Sequence, residues 1–190
     1  MKSTNSEVIK LLKCNLSFPE LFEPKEFAPG MKPKYQAAFV FDPSSKEGAA
    51  NIKKVNAAIK AVLADHYGGA DGIPKGYKLC LKNNETEQKE YEGYEGKWFV
   101  NASNRTRPTV VNRDLSPITA DDSILHPGCV VNASIQLWVQ DNQYGKRVNA
   151  TLRAVQFVEA GDVWGGSAPV RAEQEFEPLE GDFADDDLPF

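Results

Sequence analysis

Two segments decide the reading: CVVNASIQLWV at 129–139 and RVNATLRAVQFV at 147–158, joined by a short polar connection, Gln140 to Lys146, that contains Gly145. Both alternate apolar and polar residues with the period of two expected of a half-buried strand. The connection is short enough to close a β-hairpin. In the first strand Val131, Ala133, Ile135, Leu137 and Val139 share the core face, while Asn132, Ser134, Gln136, Trp138 and Gln140 share the other. In the second, Val148, Ala150, Leu152 and Ala154 are expected inside and Arg147, Asn149, Thr151 and Arg153 outside. A tryptophan among amides, hydroxyls and two guanidiniums is out of place on a merely solvated face.

Outward from the hairpin, the rest of the chain supplies partners for a small sheet. Residues 8–17 read as a first strand, with Leu12, Cys14 and Leu16 on one side. A proline-rich loop is expected next, carrying Pro19, Pro24, Pro29 and Pro33. Tyr35 to Phe41, Tyr77 to Lys82 and Lys97 to Thr106 read as further strands, with a short one at Thr109 to Asn112. Asn83 to Gly96 is polar and acidic and reads as a long loop. One helix stands out. Ser44-x-x-Glu47 is a capping box, Ile52, Val55, Ile59, Val62 and Leu63 recur at helical spacing, and Gly68-Gly69 ends the run. Lys53, Lys54 and Lys60 read as its solvated face.

After Ala160 the composition changes to Gly161, Gly165, Gly166, Ser167 and Pro169, followed by an acidic segment with too few apolar residues to offset its ordering entropy. The fold class is therefore mainly β: an OB-fold-like small β-barrel with one main α-helix over residues 1–161, and a disordered acidic C-terminal tail over 162–190.

Charge divides the chain in the same way. The formal net charge is -5, but eight of the 27 carboxylates lie between Glu173 and Phe190, where there is no lysine or arginine. The remaining residues hold 22 basic against 19 acidic side chains, a net of +3. A mildly basic body with an acidic appendage suggests a nucleic-acid-binding domain with an interaction tail. Cys14, Cys80 and Cys129 are widely spaced and read as reduced, buried thiols of a cytoplasmic protein. No apolar run approaches the roughly 18 residues of a membrane span.

The outer hairpin face combines an aromatic platform with cations, which is what binding a single nucleic-acid strand requires. Bases of any sequence stack on a ring while cations follow the phosphates. The candidate contacts are Trp138, Arg147 and Arg153 on the hairpin, together with Arg105, Arg107 and Arg113 from the cluster Asn104-Arg105-Thr106-Arg107 and just beyond it. Lys34 and Tyr35, beside Lys32, form a second basic-aromatic group. In the strand from Lys97, register places Phe99 outward and Trp98 inward; a bulge would exchange them. Tyr91 and Tyr94 read as residues of an exposed loop tip.

The last residues, Asp185-Asp186-Asp187-Leu188-Pro189-Phe190, resemble the C-terminal tip of bacterial single-stranded DNA-binding proteins, with Leu in the more usual Ile position. As a whole, residues 8–190 are similar to phage-encoded OB-fold single-stranded DNA-binding proteins. That resemblance implies sequence-independent coating of single-stranded DNA in phage replication, recombination or repair, in the host cytoplasm. It also implies recruitment of replication or recombination proteins through Asp185 to Phe190. A homo-oligomer is compatible with this. In physical terms, Phe190 can enter a pocket flanked by basic residues on a partner while the aspartates steer the encounter, and the polyanionic tail can compete with DNA for the basic groove.

Two other classes were weighed. A metal-dependent nuclease has poor support. His66 and His126 show no ligand spacing, Asp121-Asp122 reads as a solvated acidic loop, and no phosphate-binding or dinucleotide fingerprint is present. No enzyme activity, metal or cofactor is therefore expected. A protein-docking adaptor or structural phage protein without DNA binding is the alternative.

Overall fold

In a computed structural model, which describes residues 4–165, the hairpin is the longest ladder of the sheet. β1 (Asn5–Lys25), β2 (Lys34–Phe41), β3 (Lys78–Leu79), β4 (Leu81–Asn83), β5 (Trp98–Asn104), β6 (Thr109–Val111), β7 (Val130–Asn142) and β8 (Gly145–Glu159) form one sheet. β8, β7, β1, β2 and β5 pair in that order, and the parallel contact of Ser103 on β5 with Thr151 on β8 closes the ring. Closure leaves the five main strands with few free edges, the usual solution for a small barrel. β3 and β6 add to β8 in parallel, and β4 adds to β5 antiparallel.

β7 and β8 run closer to their turn than the polar connection suggested, leaving Gln143 and Tyr144 as a two-residue loop between Asn142 and Gly145. Asn142 Oδ1 accepts from the Tyr144 amide at 2.9 Å, and Gly145 has a φ of 123°. The inward face of β7 is as expected, with Val131, Ala133, Ile135, Leu137 and Val139 all buried. On β8 the expectation holds for Val148, Ala150 and Leu152 and fails at Ala154. The register shifts between Ser134/Ala154 and Ile135/Leu152, so Arg153 is an extra residue and Val155, not Ala154, returns to the core.

β1 departs furthest from the sequence reading. It continues through Pro19 and Pro24, where a loop was expected. Each proline sits in a register shift, the first between Ser17 and Glu20 and the second between Glu20 and Lys25, where a missing N–H breaks no regular ladder. Lys13 and Phe18 take left-handed φ values of 49° and 45°. Lys13 lies in the shift between Leu11 and Cys14, and Phe18 in that between Ser17 and Glu20. These bulges bend one 21-residue strand so that it serves β7 first and β2 afterwards.

The helix α1 (Lys46–Tyr67) buries Val55, Ile59, Val62 and Leu63 against the barrel. Its N-cap is Ser45, whose Oγ accepts from the Gly48 amide at 3.0 Å. Ser44, the expected cap, bonds to Asp42 instead. Gly48 is sterically required, since a Cβ there would stand 1.9 Å from the Asp42 carbonyl oxygen. Asn51, also buried, spans α1 and β1, accepting from the Leu12 amide at 3.0 Å and donating to the Leu12 carbonyl at 2.8 Å. A short helix, α2 (Asn84–Glu87), opens the acidic loop.

All three cysteines are buried and free. Burial pushes the Cys80 thiol up to about 12 and raises those of Cys14 and Cys129. A thiol-specific reagent at pH 8 should therefore label the native protein about a thousandfold more slowly than the denatured chain. Rapid native labelling, followed by mass spectrometry, would contradict this packing.

Candidate nucleic-acid interface

The outer face of the barrel has two ends. At one end, Val40 of β2 and Phe99 of β5 are covered by Tyr94 and Trp164, and Phe99 is only 3% exposed. Phe99 does face away from Trp98, as the register requires, but the acidic loop folds Tyr94 over it at a ring separation of 5.0 Å. Phe99 is therefore removed from the candidate contacts, and Tyr94 is no loop tip. Trp164 is seated where glycines leave room. A Cβ on Gly93 would lie 2.3 Å from its ring, and one on Gly128 3.1 Å. Its amide donates to the Pro127 carbonyl at 3.0 Å, and the Gly165 amide donates to Glu92 Oε2 at 2.7 Å. The described chain ends at Gly165, and the tail from 166 lies outside the described residues.

At the other end the face is open. Two adjoining depressions share Met31, Lys34, Ser103 and Trp138 and make one groove across β2, β5, β7 and β8. Lys32, Arg105 and Thr151 line one half; Lys78, Lys82, Tyr144 and Arg147 line the other. No carboxylate lines either half. Trp138 is half-buried at the junction, with register partners Asn149 on β8 and Asn5 on β1.

The cations are held by different elements. Lys34 opens β2, with Nζ 5.6 Å from the centre of the Phe27 ring. Arg105 follows β5 directly and is exposed. Lys78 and Arg147 are register partners in the parallel β3–β8 ladder. Like charges placed opposite one another repel, so an anion bound between them would relieve the pair. Lys82 is 3.8 Å from Glu87, a half-exposed pair of small energetic weight.

Of the residues expected from sequence, Trp138, Arg105, Arg147 and Lys34 meet in this groove. Arg153 is exposed and is not among the lining residues, with Nη1 donating to Gln136 Oε1 at 3.3 Å. The other three lie elsewhere. Arg107 sits 5.8 Å from the centre of the Phe22 ring. Arg113 is in the turn after β6, where its carbonyl accepts from Gln156. Tyr35 falls on the strand parity of Ala37, Phe39 and Phe41, the core side of β2. Lys78, Lys82, Met31 and Tyr144 were missed. For the first two a signal existed, since Lys78 and Lys82 alternate with apolar neighbours, but only the ladders of β3 on β8 and of β4 on β5 show that they share a face with Trp138.

Neither histidine is arranged for chemistry: His66 Nδ1 bonds to Thr4 Oγ1 at 2.9 Å, and His126 Nδ1 lies 3.0 Å from the Pro127 carbonyl. Among the described residues no group of three His, Cys, Asp or Glu side chains could hold a metal ion. Among the same residues no helix is long and apolar enough to cross a membrane.

A closed barrel with a carboxylate-free groove of cations around an aromatic platform defines the class: an OB-type barrel with a surface built for a polyanion that carries flat rings. Comparison with known proteins narrows the class to a family. The chain belongs to the family described as the ssDNA-binding protein of Enterobacter phage Enc34, whose model matches residues 7–188. Putative protein p50 of Acyrthosiphon pisum secondary endosymbiont phage 1 is 39% identical over 179 residues, spanning 90% of this chain and 93% of that protein. The single-stranded DNA-binding protein of bacteriophage Enc34, solved in complex with ssDNA, matches with a TM-score of 0.72 at 27% identity, over 83% of this chain and 89% of its own. The single-stranded DNA-binding protein gp2.5 of bacteriophage T7 shares the fold, with a TM-score of 0.54 at 13% identity, over 94% of this chain and 100% of its own.

Proposed function

We propose that this protein binds single-stranded DNA without sequence preference, in phage DNA replication, recombination or repair, and that it works in the host cytoplasm. The observation that carries the reading is the groove itself: Trp138 at its centre, lysines and arginines from four separate segments around it, and no carboxylate among the lining residues. Phosphates follow the cations and a base stacks on the indole, so binding needs no base-specific hydrogen bond. The family and the Enc34 complex support the same reading.

The contribution of each cation is measurable as salt dependence. For single strands the slope of log K against log salt changes by roughly 0.7 per phosphate neutralised. Arg105→Ala and Arg147→Ala should each flatten the slope by about that amount, whereas Arg113→Ala should leave it unchanged. Equal effects at all three positions would mean diffuse attraction and not this groove.

The segment 162–190 has two roles in this proposal. Asp185, Asp186, Asp187, Leu188, Pro189 and Phe190 recruit replication or recombination proteins, and the tail as a polyanion competes with DNA. Trp164 supports the second role, because it fixes the root of the tail on the same outer face that carries the groove. Deleting residues 173–190 should tighten binding to oligo-dT, most strongly at low salt. Unchanged affinity at low salt would remove the competition from the account.

A further inference from the structure

A second groove lies outside the DNA-binding face. β7 occupies one edge of β1 from Asn5 onward, but β2 joins the other edge only at Asn15. Before that point the second edge of β1 faces α1. Asn51 satisfies both peptide groups of Leu12, and Lys54 Nζ donates to the Lys10 carbonyl at 3.1 Å. By strand alternation the peptide groups of Val8 face the same way. An open strand edge beside a helix is a surface to which an extended segment can add.

Its lining says what kind of segment. Val8 and Ile9 on β1 and Ala57, Ala58, Ala61 and Val62 on α1 make a trough of small and medium apolar residues, with Val8 44% exposed. Small side chains on both walls leave width for large ones between them. Lys10 and Lys54 line one end, and Lys53 and Lys60 are exposed on the neighbouring stripe of the helix. Glu7 and Asp65 stand at the other end. The charges around the trough therefore sum to about +2 and favour an acidic segment with bulky apolar residues.

The chain itself carries such a segment. Asp185 to Asp187 supply the charge, and Leu188 and Phe190 supply the bulk. Twenty residues separate Gly165 from Asp185; an unstructured chain of that length would have a root-mean-square span of about 25 Å, comparable with the radius of a domain this size, and a full extension of about 70 Å. Trp164 packs on Val40, the register partner of Asn15, and the lysine end of the trough at Lys10 lies farther along that same strand.

We propose that the trough between the β1 edge and α1 is an internal docking site for Asp185–Phe190, with Leu188 and Phe190 over Val8, Ala58 and Ala61 and the aspartates among Lys10, Lys53, Lys54 and Lys60. This rests on reading the segment as a docking element, as proposed above. Docked there, the segment is withheld from partners.

The test uses the full-length chain with benzoylphenylalanine in place of Phe190, irradiated at low concentration without DNA. The expected products are intrachain cross-links to residues 5–10 and 57–62, at a yield roughly tenfold lower in Ala57→Glu, which narrows the trough and adds a negative charge. Ala57 is exposed on α1 and outside the DNA groove, so this variant should melt and bind oligo-dT as the parent does. Cross-links to Lys34 or Arg105, cross-links between copies, no cross-links, or a yield indifferent to Ala57→Glu would overturn the proposal. Oligo-dT titration of the same samples separates the two readings: intact DNA binding with the wrong cross-links removes the internal docking alone, whereas absent DNA binding removes the proposed function whatever the cross-links show.

Discussion

Replacing Trp138 with alanine is expected to raise the Kd for oligo-dT by a factor between about 5 and 150, while the melting temperature changes little. The factor follows from the value of base–aromatic stacking, roughly 1–3 kcal/mol per base. The small effect on stability follows from position. Trp138 is half-buried on the outer face of β7, and the side chains that hold the barrel together are its neighbours of opposite parity, Leu137 and Val139. Trp138→Tyr should recover most of the affinity, because the ring and not the indole N–H is what the bases use. Trp98 is the control. It packs against the barrel core from the opposite face of β5, so Trp98→Ala should lower the melting temperature and leave the affinity of the folded protein unchanged. If the two tryptophans behaved alike in either assay, the assignment of faces would be wrong.

The largest loss of stability is expected at Asn51. Its side chain acts as a short piece of sheet, meeting both peptide groups of Leu12 on the edge of β1 that has no neighbouring strand there. Asn51→Ala leaves a donor and an acceptor without partners and opens a space the size of an amide in a site that is 1% exposed. Each unmet group costs about 1–3 kcal/mol. Because Leu12 is partly reached by water, the sum should be about 2–4 kcal/mol, or about 5–15 °C in melting temperature for a domain this size. Asn51→Asp separates the two bonds. A carboxylate can still accept from the Leu12 amide but faces the carbonyl without a proton to donate, and it carries a buried charge. It should be no better than alanine near neutral pH and should recover as the solution is acidified. Thermal melts of the three proteins across pH decide this, and a wild-type melting temperature for Asn51→Ala would show that the tether is dispensable.

The sequence made the parts of this fold that depend on local periodicity legible. Alternation in β7 marked the core face residue by residue and left Trp138 conspicuous on the other. Helical spacing in α1 marked Val55, Ile59, Val62 and Leu63. What escaped were features that depend on a distant partner. The extra residue at Arg153 is set by the register between β7 and β8, and it moved Ala154 out of the core. Pro19 and Pro24 suggested a loop because the rule against proline in strands applies to regular ladders, and β1 is bulged at both. Phe99 was placed on the correct face, but a loop with little local pattern folds Tyr94 over it. Half of the groove was readable as a tryptophan with nearby cations. Lys78, Lys82 and Tyr144 were not, since only the tertiary ladders bring two short strands and a hairpin tip beside Trp138. Arg107 and Arg113 show the converse: cations near Arg105 in sequence lie outside the groove, Arg107 ahead of β6 and Arg113 in the turn after it.

The most direct test of the account is fluorescence titration with oligo-dT at several salt concentrations, on a variant in which Trp98 and Trp164 are phenylalanine, so that Trp138 alone reports. Quenching that saturates, with a slope of log K against log salt between about -2 and -4, is the expected result, corresponding to three to six phosphates met by the groove cations. An unchanged Trp138 signal while a second method shows DNA bound would place the strand on another face, and absence of binding in both would leave the groove without its proposed ligand.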